Sequence, residues 1–217
     1  MEWYADILAD LIRQISPDRP AIVVGHSMGG MISVTMALRH PELLERLILL
    51  CPTISGNLSM FINAYSTPVL ILEWVPLLDA LAGLLEPYVS GLTDRIMRPA
   101  SFAEHSSVKM EDYYRLREDA RRPGQGRIRA ECFWAMRNGD LRGRMTAIDI
   151  PSLVLWGMED NTVPLRDASF LVDEWPDVDL RILPKVSHWP QFEAPEVTQR
   201  YIRAFMGTPL KLIQAVF

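Results

Sequence analysis

Gly25-His26-Ser27-Met28-Gly29 sets a serine between two glycines, and the run lies between a short β-branched stretch and a helical pattern. A turn this tight brings backbone close to the serine, so its flanking positions are expected to need little bulk. It lifts the Ser27 hydroxyl clear of the sheet edge and puts a helix N-terminus beneath it. Free N–H groups there favour a developing negative charge. The bland alternative is a glycine-rich turn with an incidental serine; the strand–turn–helix setting argues against it. A serine hydroxyl is a weak nucleophile until a base takes its proton. The histidines therefore decide whether this turn can do chemistry.

There are four: His26, His40, His105 and His188. His26 sits in the turn itself, where backbone geometry points it away from the serine. His40 closes a helix before Pro41, and the helix dipole accounts for it. His105 falls among polar residues and reads as exposed. His188 follows the last strand, in Lys185-Val186-Ser187-His188-Trp189. Loops at the carboxyl ends of parallel strands gather at one edge of the sheet, the edge that carries Ser27. His188 is the expected base. By the same logic Asp160, in Trp156-Gly157-Met158-Glu159-Asp160, is the expected acid that holds one imidazole tautomer and stabilises the imidazolium. Glu159 is its neighbouring competitor. Asp149 precedes its strand and lies at the wrong end, while Asp167 and Asp173 read as the polar face of a helix. Ser27, Asp160, His188 is one of the known chain orders for a serine–acid–histidine triad.

The elements that must position these turns can be read from periodicity. From Trp3 to Ile15, the residues Ile7, Leu8, Leu11, Ile12 and Ile15 form one helical apolar stripe. Ala21–Val24 and Leu47–Leu50 are unalternated apolar runs, suited to strands buried on both faces of a parallel sheet. A helix through Met28, Met31, Val34 and Leu38 joins them, which makes a βαβ unit and places the chain in the α/β class. Further strands are expected at about 153–156 and 179–183, with helices from about Pro164 to Glu174 and from Pro195. Between them the alternation lapses. The reading is a core over 1–52 and 147–217, interrupted over 53–146 by a helical cap insertion. The front half of the insertion is apolar (Met60, Phe61, Ile62, Val69, Leu70, Ile71, Leu72, Trp74), suited to lining a pocket or to packing the cap on the core. Its second half carries Arg115, Arg117, Arg121, Arg122, Arg127 and Arg129 among acids, a solvated face with local ion pairs.

Bulk properties set the bounds. A chain of 217 residues, 49% hydrophobic and 23% charged, can bury a proper core. A formal charge of −5 gives no electrostatic reason to expect nucleic acid as partner. Met60–Leu78 is apolar but contains Glu73, Pro68 and Pro76, so no transmembrane segment is expected. Cys51 and Cys132 have no metal-ligand spacing and read as small hydrophobes in a reducing, cytoplasmic compartment. The N-terminus lacks the basic region of a signal peptide. No cofactor motif occurs, and none is expected.

Together, Gly25-His26-Ser27-Met28-Gly29-Gly30, Gly157-Met158-Glu159-Asp160 with Val163-Pro164, and Ser187-His188 with Phe192-Glu193-Ala194-Pro195 resemble the cap-bearing α/β-hydrolases. That superfamily includes carboxylesterases and monoacylglycerol-type lipases. The resemblance implies a mostly parallel α/β-hydrolase sheet and a serine hydrolase acting on a small or apolar carboxylic ester. It further implies that the Met28 N–H is one oxyanion donor. Thioesters, lactones, C–C bonds and perhydrolysis fall within the same triad's reach. Epoxide hydrolases and haloalkane dehalogenases have Asp as nucleophile, and Ser27 counts against them. Family members run through several strands before the helix that precedes the nucleophile, and the loop after one of them gives the second oxyanion donor. This chain begins at that helix, so it is expected to be a fragment or a shortened version, with an exposed Ile22–Val24 edge that leaves it either poorly soluble or a homodimer through that edge. The competing function class is a non-catalytic, hydrolase-like binding protein that lacks the oxyanion loop.

Overall fold

The computed structural model describes residues 1–60, 62–64, 67–68, 71, 101–103, 109–120, 125–175 and 177–207. In chain order the elements are α1 (Glu2–Ile15), β1 (Ala21–His26), α2 (Met28–Arg39), β2 (Leu44–Leu50), α3 (Met110–Ala120) and α4 (Gln125–Arg137). They continue with β3 (Ser152–Gly157), α5 (Asp167–Glu174), β4 (Val178–Leu183), α6 (Pro190–Glu193) and α7 (Pro195–Gly207). The strands form one four-stranded sheet in the order β1-β2-β3-β4, and every pairing is parallel. This is the α/β architecture expected from the apolar runs.

Both faces of the central strands β2 and β3 are covered. Val34 and Met31 of α2, with Ala168 and Leu171 of α5, pack against Leu47, Leu49, Val154 and Trp156 on one side. On the other, Val197, Tyr201 and Phe205 of α7 pack against Ile48, Leu50, Leu153 and Leu155. A strand buried on both faces must be apolar at successive positions, which is why these runs do not alternate. β2 starts three residues before the predicted run because Glu45 and Arg46 interrupt the apolar signal. Arg46 is nonetheless buried: its guanidinium lies 5.4 Å over the Phe205 ring and donates to the Phe205 carbonyl. A charged group is accommodated there by a carbonyl and a π face.

α1 departs from the predicted stripe. Ala5, Ala9 and Ile12 are buried, whereas Ile7 and Leu11 face outward and Trp3 and Ile15 are 68% and 71% exposed. Ala5 and Ala9 share the apolar cluster with Met31 and Val34 of α2. Among the described residues β1, at the sheet edge, pairs with β2 alone, and Val24 is 55% exposed.

Between β2 and β3 the described residues include helices and no strand. Ala130, Phe133 and Met136 of α4 share one apolar cluster with Met31 and Ile54. Of the apolar front half, Ile62 is buried while Met60 and Ile71 are exposed. Phe61, Val69, Leu70, Leu72 and Trp74 lie outside the described residues, as do His105, Arg121 and Arg122. Arg115 and Arg127 pair with Glu111 and Glu131 at helical i,i+4 spacing, consistent with a solvated face. No described helix is long and apolar enough to cross a membrane.

Candidate active site

β1 ends at His26 and α2 begins at Met28, leaving Ser27 alone at the turn with φ 52° and ψ −117°. An L side chain rarely adopts this backbone, at a cost of about 1–3 kcal/mol. Surrounding bonds hold it there. The Ser27 N–H donates to the Leu50 carbonyl at 3.0 Å, and its carbonyl accepts from Thr53 N–H at 3.1 Å. A Cβ at Gly25 would come within 2.5 Å of the Gly29 carbonyl oxygen, and one at Gly30 within 2.6 Å of Pro52 Cβ. A Cβ at Gly29 would meet nothing within 4 Å, so the expected lack of room applies to Gly25 and not to Gly29. Met28 is the first residue of α2, where the N–H has no intrahelical acceptor.

The acid and base turns lie one strand apart in the sheet order, after β3 and β4. A Cβ at Gly157 would collide with the Ser187 carbonyl, so the last residue of β3 must be glycine for the histidine turn to lie against it. Asp160 is buried and Glu159 is exposed, which separates the two competing carboxylates. Asp160 Oδ1 accepts from the N–H groups of Thr162 and Val163 at 2.8 and 2.9 Å. Its Oδ2 is thereby left to face His188 Nδ1 at 2.9 Å, with both side chains nearly inaccessible to water. Neutral His188 in this pairing carries its proton on Nδ1 and presents a free lone pair at Nε2. Asp149 and Asp173 are exposed and away from this turn.

Cys51, at the end of β2, is buried beside the pair; its Sγ and the nearest Asp160 and His188 ligand atoms all lie within 4.8 Å of one another. Burial, then the Asp160 charge, pushes its thiol well above the ordinary range and keeps it protonated. His188 Nδ1 and Asp160 Oδ2, two of the possible donor atoms, are already bonded to each other.

His26 does something its sequence position did not reveal. Its Nε2 lies 2.7 Å from the His188 carbonyl, and its ring centroid is 4.7 Å from the His188 ring and 4.4 Å from that of Trp189. The residue preceding Ser27 therefore touches the residue expected to act as base. Burial, and then a positive charge on His188, lower the His26 pKa from 6.5 to about 3, so neutral His26 donates this hydrogen bond. The unfolded chain takes up a proton below about 6.5 that the folded chain refuses until about 3. Stability is expected to fall across that window by about 1.4 kcal/mol per pH unit from this group. Urea unfolding at neutral and mildly acidic pH should show a smaller drop for His26→Asn than for the parent. Equal drops would contradict the assignment.

Two other polar residues depart from expectation. Asp167 is fully buried rather than part of a solvated face. Its carboxylate accepts from Ser55 N–H and Ser55 Oγ, tying the start of α5 to the segment after β2. His40, expected to answer to the helix dipole, has a direct partner: Asp6 Oδ1 lies 2.8 Å from its Nε2.

Comparison with known proteins agrees with this fold. The family model for the alpha/beta hydrolase fold matches residues 2–195. A 2-hydroxy-6-oxononadienedioate/2-hydroxy-6-oxononatrienedioate hydrolase of Burkholderia vietnamiensis is 26% identical over 208 residues, covering 93% of this chain and 67% of its own. One from Dechloromonas aromatica is 28% identical, covering 94% and 68%. The chain thus spans about two thirds of these relatives. Among solved structures, a thermophilic esterase superposes with TM-score 0.66 at 24% identity, over 98% of this chain and 73% of its own. A meta-cleavage product hydrolase from Pseudomonas fluorescens gives TM-score 0.68 at 19% identity, over 93% and 70%.

Proposed function

Because the chain belongs to the alpha/beta hydrolase fold family, we propose that it is a serine hydrolase that cleaves a carboxylic ester through an acyl-enzyme on Ser27. The observation that carries this reading is the buried 2.9 Å contact between Asp160 Oδ2 and His188 Nδ1, at the sheet edge where Ser27 stands on a strained turn. Ser27 Oγ attacks the ester carbonyl while His188 Nε2 takes its proton. The Met28 N–H and the start of α2 stabilise the oxyanion. The imidazolium, held by Asp160, then gives the proton to the departing alcohol. Water repeats the sequence on the acyl-enzyme and releases the acid.

A second reading has its own support in the relatives named for hydrolysis of 2-hydroxy-6-oxo-dienedioates. The same oxyanion and base would serve a carbon–carbon bond beside a ketone, with a carbanion-equivalent leaving group in place of an alkoxide. A paired assay separates them. p-Nitrophenyl butyrate and a 2-hydroxy-6-oxo-dienoate are given to the same preparation and kcat/KM is compared. The ester reading expects the ester to be the better substrate. A dienoate preferred by tenfold or more (about 1.4 kcal/mol in transition-state binding) would replace it with the carbon–carbon reading.

A further inference from the structure

Glu193 is buried at the end of α6, five residues after His188. A buried carboxylate has to be hydrogen-bonded, and here the donors are backbone groups. Oε1 accepts from the N–H groups of Ser187 and Trp189, each at 3.1 Å, the two residues that flank His188. Oε2 accepts from the N–H of Ala103 at 2.7 Å, in the segment between β2 and β3. The remaining N–H of this turn, that of His188 itself, donates to the Ser101 carbonyl at 3.2 Å. Three consecutive backbone donors around His188 are thus satisfied by one carboxylate and by the segment that the same carboxylate holds. Phe102, between Ser101 and Ala103, is buried and stacks near Trp189, with centroids 6.2 Å apart.

We infer that Glu193 is a positioning residue that fixes the backbone of the His188 turn with one oxygen and couples it to the 101–103 segment with the other. The consequence for catalysis rests on the reading of His188 as the base. Seating of the inserted segment and orientation of the imidazole are then a single event. Displacing that segment removes the acceptor from His188 N–H and one donor from Glu193 at once.

The two oxygens can be tested separately. Glu193→Gln keeps an acceptor oxygen for Ser187 and Trp189, but turns an NH2 toward the Ala103 N–H, donor against donor. Glu193→Ala removes both connections. Two readouts do not depend on turnover: the far-downfield proton signal of His188 Nδ1–H, assigned by its loss in His188→Gln, and hydrogen exchange of the Ala103 amide. In Glu193→Gln the proton signal is expected to persist while Ala103 exchanges faster. In Glu193→Ala both are lost. With p-nitrophenyl butyrate, Glu193→Gln should mainly raise KM, and Glu193→Ala should lower kcat on the order of a hundredfold, as about 1 Å of misplacement does. A folded Glu193→Ala protein with an intact His188 signal overturns the inference. Where Glu193→Ala does not fold, unchanged Ala103 exchange in Glu193→Gln overturns it. A parent without ester turnover, whose His188 signal still depends on Glu193, would instead overturn the proposed function alone.

Discussion

Ser27→Ala is expected to lower the rate of p-nitrophenyl butyrate hydrolysis by roughly a millionfold, as loss of the nucleophile does in a serine protease. The fold should survive, because the turn is anchored through Ser27 backbone atoms to Leu50 and Thr53 and not through the hydroxyl. Alanine inherits the strain of φ 52°, ψ −117°, whereas glycine relieves it. Ser27→Gly should therefore be equally inactive but more stable, by about 1 kcal/mol or more. Phenolate release gives the rates and thermal unfolding gives the stabilities. Inactive variants in which glycine gained nothing over alanine would show that the turn carries no strain, and hydrolysis at the parent rate would remove Ser27 from the mechanism.

The second large effect concerns the acid. In Asp160→Asn the Thr162 and Val163 N–H groups can still bond the side-chain oxygen, so the amide NH2 turns toward His188. A donor there selects the tautomer with its proton on Nε2, the wrong one for a base. The expected loss in kcat is about ten-thousandfold, as for the same change in a serine protease. Glu159→Gln should leave the rate nearly unchanged, because Glu159 faces solvent. Rates ranked the other way would make Glu159 the acid.

Much of this arrangement was legible in the chain because it depends on local rules. Leu47–Leu50 announces a strand buried on both faces, and the turns after such strands must meet at one edge. Ser27, Asp160 and His188 follow from that logic, and Asp160 and His188 do meet. What was not legible depends on partners distant in sequence. His26 is 162 residues from the carbonyl it binds, Ser55 and Asp167 are 112 apart, and Glu193 lies 90 from Ala103. Nothing near Asp167 signals that a helix-start carboxylate will be buried. Arg46 interrupts an apolar run and hides the first residues of β2, although Phe205 receives it. In α1 the periodicity marks an apolar stripe but not how much of it is covered: Leu8 and Ile12 meet the core, while Ile7, Leu11 and Ile15 are exposed.

If His188 activates Ser27, a fluorophosphonate will label it, because such a probe reacts only with an activated serine. The protein would be treated with the probe, digested and mapped by peptide mass. One phosphonyl group is expected, on the peptide containing Ser27, and none on that peptide in His188→Ala. An adduct on another serine, no adduct at all, or undiminished labelling of Ser27 in His188→Ala would contradict that activation.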